Sequence, residues 1–287
     1  MPTATVGAVH LRAEHVDRAV KGFALQSYKL KQICMIESSS SWKETYKIET
    51  AADLEAGAGT AVKGIPRGAK FPYGEVSWTD ATKRHEKYGI EGKIDWEDTV
   101  TSEIDVIART LLRIGRAVAK AVDDEIYTQI SDNAGQTVAA PHEWNAVTLS
   151  DRDPIQDILD AQALISIQNY DPYSNTYLLL HPTDYKNLLG NANVRNAGQF
   201  WTDSVTKNGV VGRICGLTVV VSNSITSSDK QAIVIIAKQA ATWKSAHALT
   251  THTDIHPGID WQVRAWEVGV TQVTNPNAIC TITSIRV

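Results

Sequence analysis

Residues 98–131 read DTVTSEIDVIARTLLRIGRAVAKAVDDEIYTQIS, and the reading of this stretch decides the fold. Val100, Ile104, Ile107, Leu111, Ile114, Val118, Val122 and Ile126 recur every three or four residues, the period of one helix face. Asp95 or Asp98 supplies an N-cap. An unbroken helix over 98–131 is about 50 Å long at 1.5 Å per residue. A compact globule of 287 residues is itself only about 50 Å across, so a flat or elongated subunit is expected. On the polar side Arg109, Arg113, Arg116 and Lys120 recur at helical spacing, as a solvated face or one turned toward phosphates or a neighbour's acids. Asp123, Asp124 and Glu125 read as solvated helix surface, with Lys120 one turn before Asp124.

Upstream, Val16, Val20, Phe23 and Ala24 predict a short amphipathic helix within 15–33, ended by the serines Ser38, Ser39, Ser40 and Ser41. From Trp42 the period changes to two, with Trp42, Glu44, Tyr46 and Ile48 on one side of a strand. Residues 51–75, rich in Gly and Ala and interrupted by Pro66 and Pro72, have no apolar period and read as a loop. Strand-like pieces follow at 74–80 and 83–94. Together 42–96 reads as a ribbon of antiparallel strands with little apolar content, which needs something else to lie on.

Downstream, Asp153 caps a helix that opens on Pro154 and carries Ile155, Ile158, Leu159 and Ile165. NTYLLL (175–180) reads as a buried strand, and HPTDY (181–185) opens a short helix ending at Gly190. Strands are expected at 217–221, 232–236, 261–270 and 278–287. This order of elements makes the fold class α+β.

Composition excludes several functions. The net charge of −4 provides no global basic field for nucleic acid. No stretch has the length of apolar sequence that a membrane span needs, and the N-terminal residues lack the layout of a signal peptide, so the chain reads as cytosolic with no membrane partner. Cys34, Cys215 and Cys280 are odd in number and far apart, which fits buried small residues better than disulfides or a metal knuckle. The beginning of the chain is nevertheless mildly basic, with Arg12, Arg18, Lys21, Lys29 and Lys31 against Glu14 and Asp17.

Signs of catalysis are sparse. The glycines of 57–68 lack the lysine-containing end of a phosphate loop, and no nucleophile elbow, HExxH or GxGxxG occurs. His247, His252, Asp254 and His256 are the best metal candidates, but their spacing matches no known ligand set and a solvated turn is the better reading. Trp144, Trp201, Trp243, Trp261 and Trp266 have no accompanying basic cluster for base stacking and read as packing residues. No catalytic, cofactor or metal residue is assigned.

The order of elements resembles the major capsid proteins of tailed viruses, which have the Hong Kong 97-type fold. Residues 1–41 look like the N-terminal arm and 42–96 like the extended loop. Residues 97–153 resemble the spine helix and peripheral domain, 154–244 the axial domain, and 245–287 the returning peripheral strands. The resemblance is carried by LLLHPTDYKNLL, GLTVVVSNSI, AIVIIAK and WQVRAWEVGVTQVTNPNAICTITSI. It implies a structural protein, not an enzyme, that assembles as hexamers and pentamers into an icosahedral shell around viral double-stranded DNA. It further implies inter-subunit contacts through the loop, with Lys63, Arg67, Lys70 and Trp78 as candidates. Arg12, Arg18, Lys21, Lys29 and Lys31 become an inner-surface basic arm meeting packaged DNA or an acidic scaffold. With residues 1–41 alone before the loop, a separate scaffolding protein is expected, together with a portal, and assembly in the host cytoplasm. No cross-linking trio of lysine, asparagine and glutamate stands out. An encapsulin-like nanocompartment is the alternative within the fold, and a metal-dependent hydrolase using the late histidines is the alternative outside it.

Overall fold

The computed structural model describes residues 13–49, 63–73, 78–101, 105–192, 194 and 212–286. In chain order the first elements are α1 (Ala13–Ser27), β1 (Met35–Ser38), β2 (Lys43–Glu49), β3 (Trp78–Arg84), β4 (Glu86–Asp95), α2 (Trp96–Thr101) and α3 (Val106–Asp132). Then come β5 (Gln136–Ala139), α4 (Pro154–Ile167), β6 (Thr176–Leu180), α5 (Pro182–Gly190), β7 (Arg213–Ile214) and β8 (Leu217–Val221). Four strands follow: β9 (Ala232–Ile236), β10 (Ala241–His256), β11 (Asp260–Val273) and β12 (Ile279–Thr283). They divide into two units. One takes the chain up to Glu44 with Lys83–Gln129 and Thr242–Gln272; the other takes Thr45–Thr82, Ile130–Ala241 and Val273–Val287.

The first unit sets helices against a four-stranded sheet ordered β1-β10-β11-β4. β1 runs parallel to β10 with Ile36 opposite Trp243, and β11 runs antiparallel to β4 with Ala265 opposite Ile90. Leu111, Ile114, Val118, Val122 and Ile126 of α3 are buried as the period requires. A side chain at Gly92 of β4 would come within 2.6 Å of Ile114 Cδ1, so α3 rests directly on the sheet. Val16, Val20 and Ala24 of α1 are buried too, and α1 passes so close to α3 that a Cβ at Gly115 would stand 3.0 Å from the Val20 carbonyl.

Three expectations for this unit are corrected. The long helix begins at Val106, not near 98, and at 27 residues it is about 40 Å long. Asp105, neither Asp95 nor Asp98, caps it by accepting the Ala108 N–H at 2.9 Å, while 96–101 forms the separate α2 with Val100 exposed. β4 is not part of the ribbon: its ten residues pair with β11 along Glu86–Asp95, which gives it the apolar support its own sequence lacks. The serines do not end α1, which stops at Ser27. The chain then turns because buried Asp123 accepts the N–H groups of Lys29 (2.7 Å) and Lys31 (3.0 Å), and Met35–Ser38 becomes a strand.

The second unit is built on a six-stranded sheet ordered β5-β12-β9-β6-β8-β7. Every residue of β9 is buried, and β6 is buried apart from Tyr177, so these strands read as unbroken apolar runs without alternation. β6 pairs in parallel with β8 and antiparallel with β9, and β12 bridges β9 to β5. α4 lies against β12, β5 and β9. It starts as read: Pro154 occupies the first turn and Asp153 accepts the Gln156 N–H at 3.2 Å. Ile158 and Ile165 are buried, but Leu159 is on the outer side. The closing run therefore divides, with β11 in the first sheet and β12 in the second. β2 and β3 form a two-stranded ribbon joined by the Thr45 and Thr82 hydroxyls at 3.0 Å, and the side chains of β2 alternate in exposure as its period predicts.

Candidate functional site

The late histidines do not converge. His247, His252, Asp254 and His256 lie along strand β10, not on a solvated turn. His252 meets Asp254 at 3.0 Å, His256 meets Asp260 at 2.6 Å, and the His247 ring stacks beside Trp266 with centroids 6.3 Å apart. Arg264 joins Asp254 to Glu91, so the carboxylates are already engaged. Among the described residues no group of three or more His, Cys, Asp or Glu is placed to hold a metal. The cysteines offer no nucleophile. Burial pushes the Cys34 and Cys280 thiols up to about 12, and Cys215, half-buried, is also raised by burial.

The acidic run on α3 splits in two. Lys120 and Asp124 form the expected one-turn ion pair at 2.6 Å on the exposed face. Asp123 is buried, and burial raises its carboxyl although the backbone N–H groups of Lys29, Leu30 and Lys31 pull it back. It is a positioning residue for the turn after α1. Trp144 and Trp243 are buried packing residues, Trp261 and Trp266 are half-buried, and Trp201 lies outside the described residues.

The basic arm is only partly available as a charged surface. Arg12 lies outside the described residues, and Arg18 is exposed on α1. Lys21 pairs with Asp17 at 2.7 Å, one turn earlier. Lys31 is engaged inside the first unit, which corrects its reading as an arm cation. It forms an ion pair with buried Glu267, and its ammonium stands 4.4 Å from the Tyr28 ring centroid and 5.4 Å from that of Trp243. Glu267 also accepts the Tyr28 hydroxyl at 2.6 Å and the Trp243 indole N–H at 3.2 Å. Burial, with Glu267 adding to it, pushes the Tyr28 phenol upward. Lys29 contributes its backbone N–H to Asp123 and has an exposed side chain.

The surface that stands out carries no reactive group. In 63–73, KGIPRGAKFPY, the cations Lys63, Arg67 and Lys70 are exposed, and so are Phe71 (84%) and Tyr73 (78%). A turn closed by Ala69 N–H to the Pro66 carbonyl at 3.1 Å holds Arg67 at its corner, and Gly68 at φ +80° supplies the left-handed conformation. Trp78, on β3, is 46% exposed. A second apolar patch, which the sequence reading missed, lies at the β10–β11 turn of the first unit. Trp96 and Val100 share a face of α2 one turn apart, the Trp96 N–H donates to the Ile259 carbonyl at 3.1 Å, and Ile255 and Ile259 flank the turn. Their exposures are 44%, 62%, 52% and 63% in the order Trp96, Val100, Ile255, Ile259. Large side chains so exposed mark contact surfaces when they are contiguous.

Comparison with known proteins places the chain in a family and a fold. The family profile described as phage capsid protein matches residues 80–282. No curated protein matches the sequence. Among solved structures, the capsid of cyanophage P-SCSP1u is similar with a TM-score of 0.68 at 16% identity, over 89% of this chain and 88% of that one. The virus-like particle from Pyrococcus furiosus gives 0.65 at 12%, over 94% and 98%. The structure from Mycobacterium phage Che8 gives 0.65 at 15%, over 89% and 90%. At these identities the likeness speaks for the fold alone.

Proposed function

The chain belongs to the phage capsid protein family and is a capsid shell subunit of Hong Kong 97-type fold; from that premise we propose that its copies close as hexamers and pentamers into an icosahedral shell around packaged double-stranded DNA. The observation that carries the oligomeric part is the ribbon and its loop. Phe71, Tyr73 and Trp78 are exposed on a segment with no core of its own, and a two-stranded ribbon needs a partner surface to bury such groups. Lys63, Arg67, Lys70 and Trp78 are the proposed inter-subunit contacts. Assembly takes place in the host cytoplasm with a separate scaffolding protein and a portal, and the subunit has no enzymatic role. Arg12, Arg18, Lys21 and Lys29 remain candidates for an inner-surface contact with DNA or an acidic scaffold; Lys31 is held by buried Glu267.

The test is electron microscopy and light scattering of the purified chain over a range of salt. Hexamers, pentamers or closed particles are expected, and a monodisperse monomer at high concentration under every condition refutes the proposal. An encapsulin-like compartment is the second reading, favoured by the similarity to the Pyrococcus furiosus particle. Particles from the native source that contain DNA support the first reading, and particles filled with a protein cargo support the second.

A further inference from the structure

We propose that the exposed arginine stripe of α3, formed by Arg109, Arg113 and Arg116 with Lys120 at its end, binds the phosphate backbone of nucleic acid. This rests on the reading of the protein as a shell around double-stranded DNA and assigns the contact to a helix face beyond the arm.

Spacing and burial build the stripe. Separations of four, three and four residues place the four cations within an arc of about 60° on the helix. All four are exposed, while Leu111, Ile114, Val118 and Val122 on the far side are buried. That far side meets the sheet, where a side chain at Gly92 would touch Ile114, so the stripe is turned away from β4. At 1.5 Å per residue it runs for about 16 Å along the helix axis.

Its charge is largely unmatched. From Val106 to Val122 the helix contains no acid. The acids that bracket this stretch are engaged with backbone: Asp105 accepts the Ala108 N–H, and Asp123 is buried against the N–H groups of Lys29 and Lys31. Lys120 is paired with Asp124 at 2.6 Å. Among the described residues Arg109, Arg113 and Arg116 form no ion pair. Three unmatched guanidinium groups therefore stand together on a chain whose net charge is −4.

The composition of the stripe selects a polyanion over a protein. Specific protein interfaces set an apolar centre within a polar border. Among the described residues α3 exposes no large apolar side chain, so a protein partner would find no anchor there. The planar fork of a guanidinium matches two oxygens of one phosphate. A duplex carries one charge per about 1.7 Å of its axis, so one laid along the stripe offers several phosphates to it at once. With no aromatic or amide group among its cations, the stripe contacts the backbone and is indifferent to base sequence.

The test is binding of a short fluorescent DNA duplex to the unassembled full chain, read by anisotropy between about 50 and about 200 mM salt, with electron microscopy of shell formation alongside. The form Arg109→Gln, Arg113→Gln, Arg116→Gln keeps good helix formers and removes three phosphate contacts. Its slope of log affinity against log salt should be shallower than the parent's by about 2.7, so that the parent loses roughly 40-fold more affinity across this range. Replacing the same three residues by Lys should retain the parent's slope, because the charge remains. A parent that does not bind the duplex at about 50 mM salt, or a glutamine form with the parent's slope, overturns the proposal. Unchanged DNA binding with loss of shells in the glutamine form also overturns it, and assigns the stripe to a neighbour's acids. The expected slopes from a parent that never forms shells support the surface and refute the shell reading instead. Should the glutamine form melt below the parent, Arg113→Gln alone replaces it, with an expected change of slope of about 0.9.

Discussion

Replacing Glu267 by Leu tests the buried cluster that anchors the segment after α1. The carboxylate accepts the Tyr28 hydroxyl and the Trp243 indole and is paired with Lys31, so the substitution leaves a mostly buried ammonium and two polar donors without their acceptor. Removing one member of a buried ion pair costs about 3–5 kcal/mol. Lys31 keeps a little solvent contact, which places the expectation near the lower end, about 3 kcal/mol. At roughly 2–4 °C per kcal/mol for a chain of this size, the melting temperature should fall by about 6–12 °C. The assays are thermal and urea unfolding of the unassembled subunit at low concentration, because assembly adds its own stabilisation. Lys31→Met should be costly for the mirrored reason, leaving the carboxylate buried. The double form Lys31→Met, Glu267→Leu should lose much less than the two single losses together, since an apolar pair can replace a buried ion pair. A Glu267→Leu subunit within about 1 kcal/mol of the parent, or simple additivity in the double form, would refute the account of the cluster.

Asp157 offers a pH test. Burial raises its carboxyl despite the hydrogen bond from Trp144 (2.7 Å), and Asp153 and Asp160 add to the rise. The folded state thus takes up a proton more readily than the unfolded chain. The contribution of Asp157 to stability is present at low pH and is lost as pH rises through its folded value. Urea midpoints of Asp157→Asn relative to the parent should therefore be most favourable at pH 7 and decline toward about pH 4; a constant difference argues against the raised carboxyl. At the α1–α3 contact, Gly115→Leu should cost about 1–3 kcal/mol by forcing the helices apart, measured by the same unfolding assay. A neutral effect would mean that the helices are less closely packed. Deleting 56–72 should leave the melting temperature within a few degrees of the parent while preventing particle formation in electron microscopy, and a chain unfolded by the deletion contradicts the loop's independence from the core.

The sequence was most legible where period and burial coincide. The α3 stripe from Leu111 to Ile126, the apolar runs of β6 and β9 and the Asp153-Pro154 helix start all follow from local chemistry and occur at the expected residues, whereas Val100, read as the first member of the stripe, lies exposed on α2. What escaped depends on partners distant in the chain. β4 reads as charged ribbon because its support comes from β11. Asp123 reads as solvated because the backbone amides that permit its burial belong to the turn after α1. Lys31 reads as one more arm cation because Glu267 is far away in sequence. The patch at the β10–β11 turn was invisible for the same reason: Trp96 and Val100 announce half of it, but Ile255 and Ile259 join them only once β4 and β11 are paired.

The position of β12 within its sheet sets a timetable for synthesis. Among the described residues β5 joins the rest of that sheet only through β12, which lies between β5 and β9. At about 5–20 residues per second, a ribosome makes β12 roughly 7–28 seconds after β5. Until then β5 has no strand to join, and β9 presents an open apolar edge. An interrupted chain that stops short of Ile279 would expose that edge, a surface prone to pairing with other chains. Completion of one five-residue strand thus separates subunits fit for a lattice from fragments that would poison it.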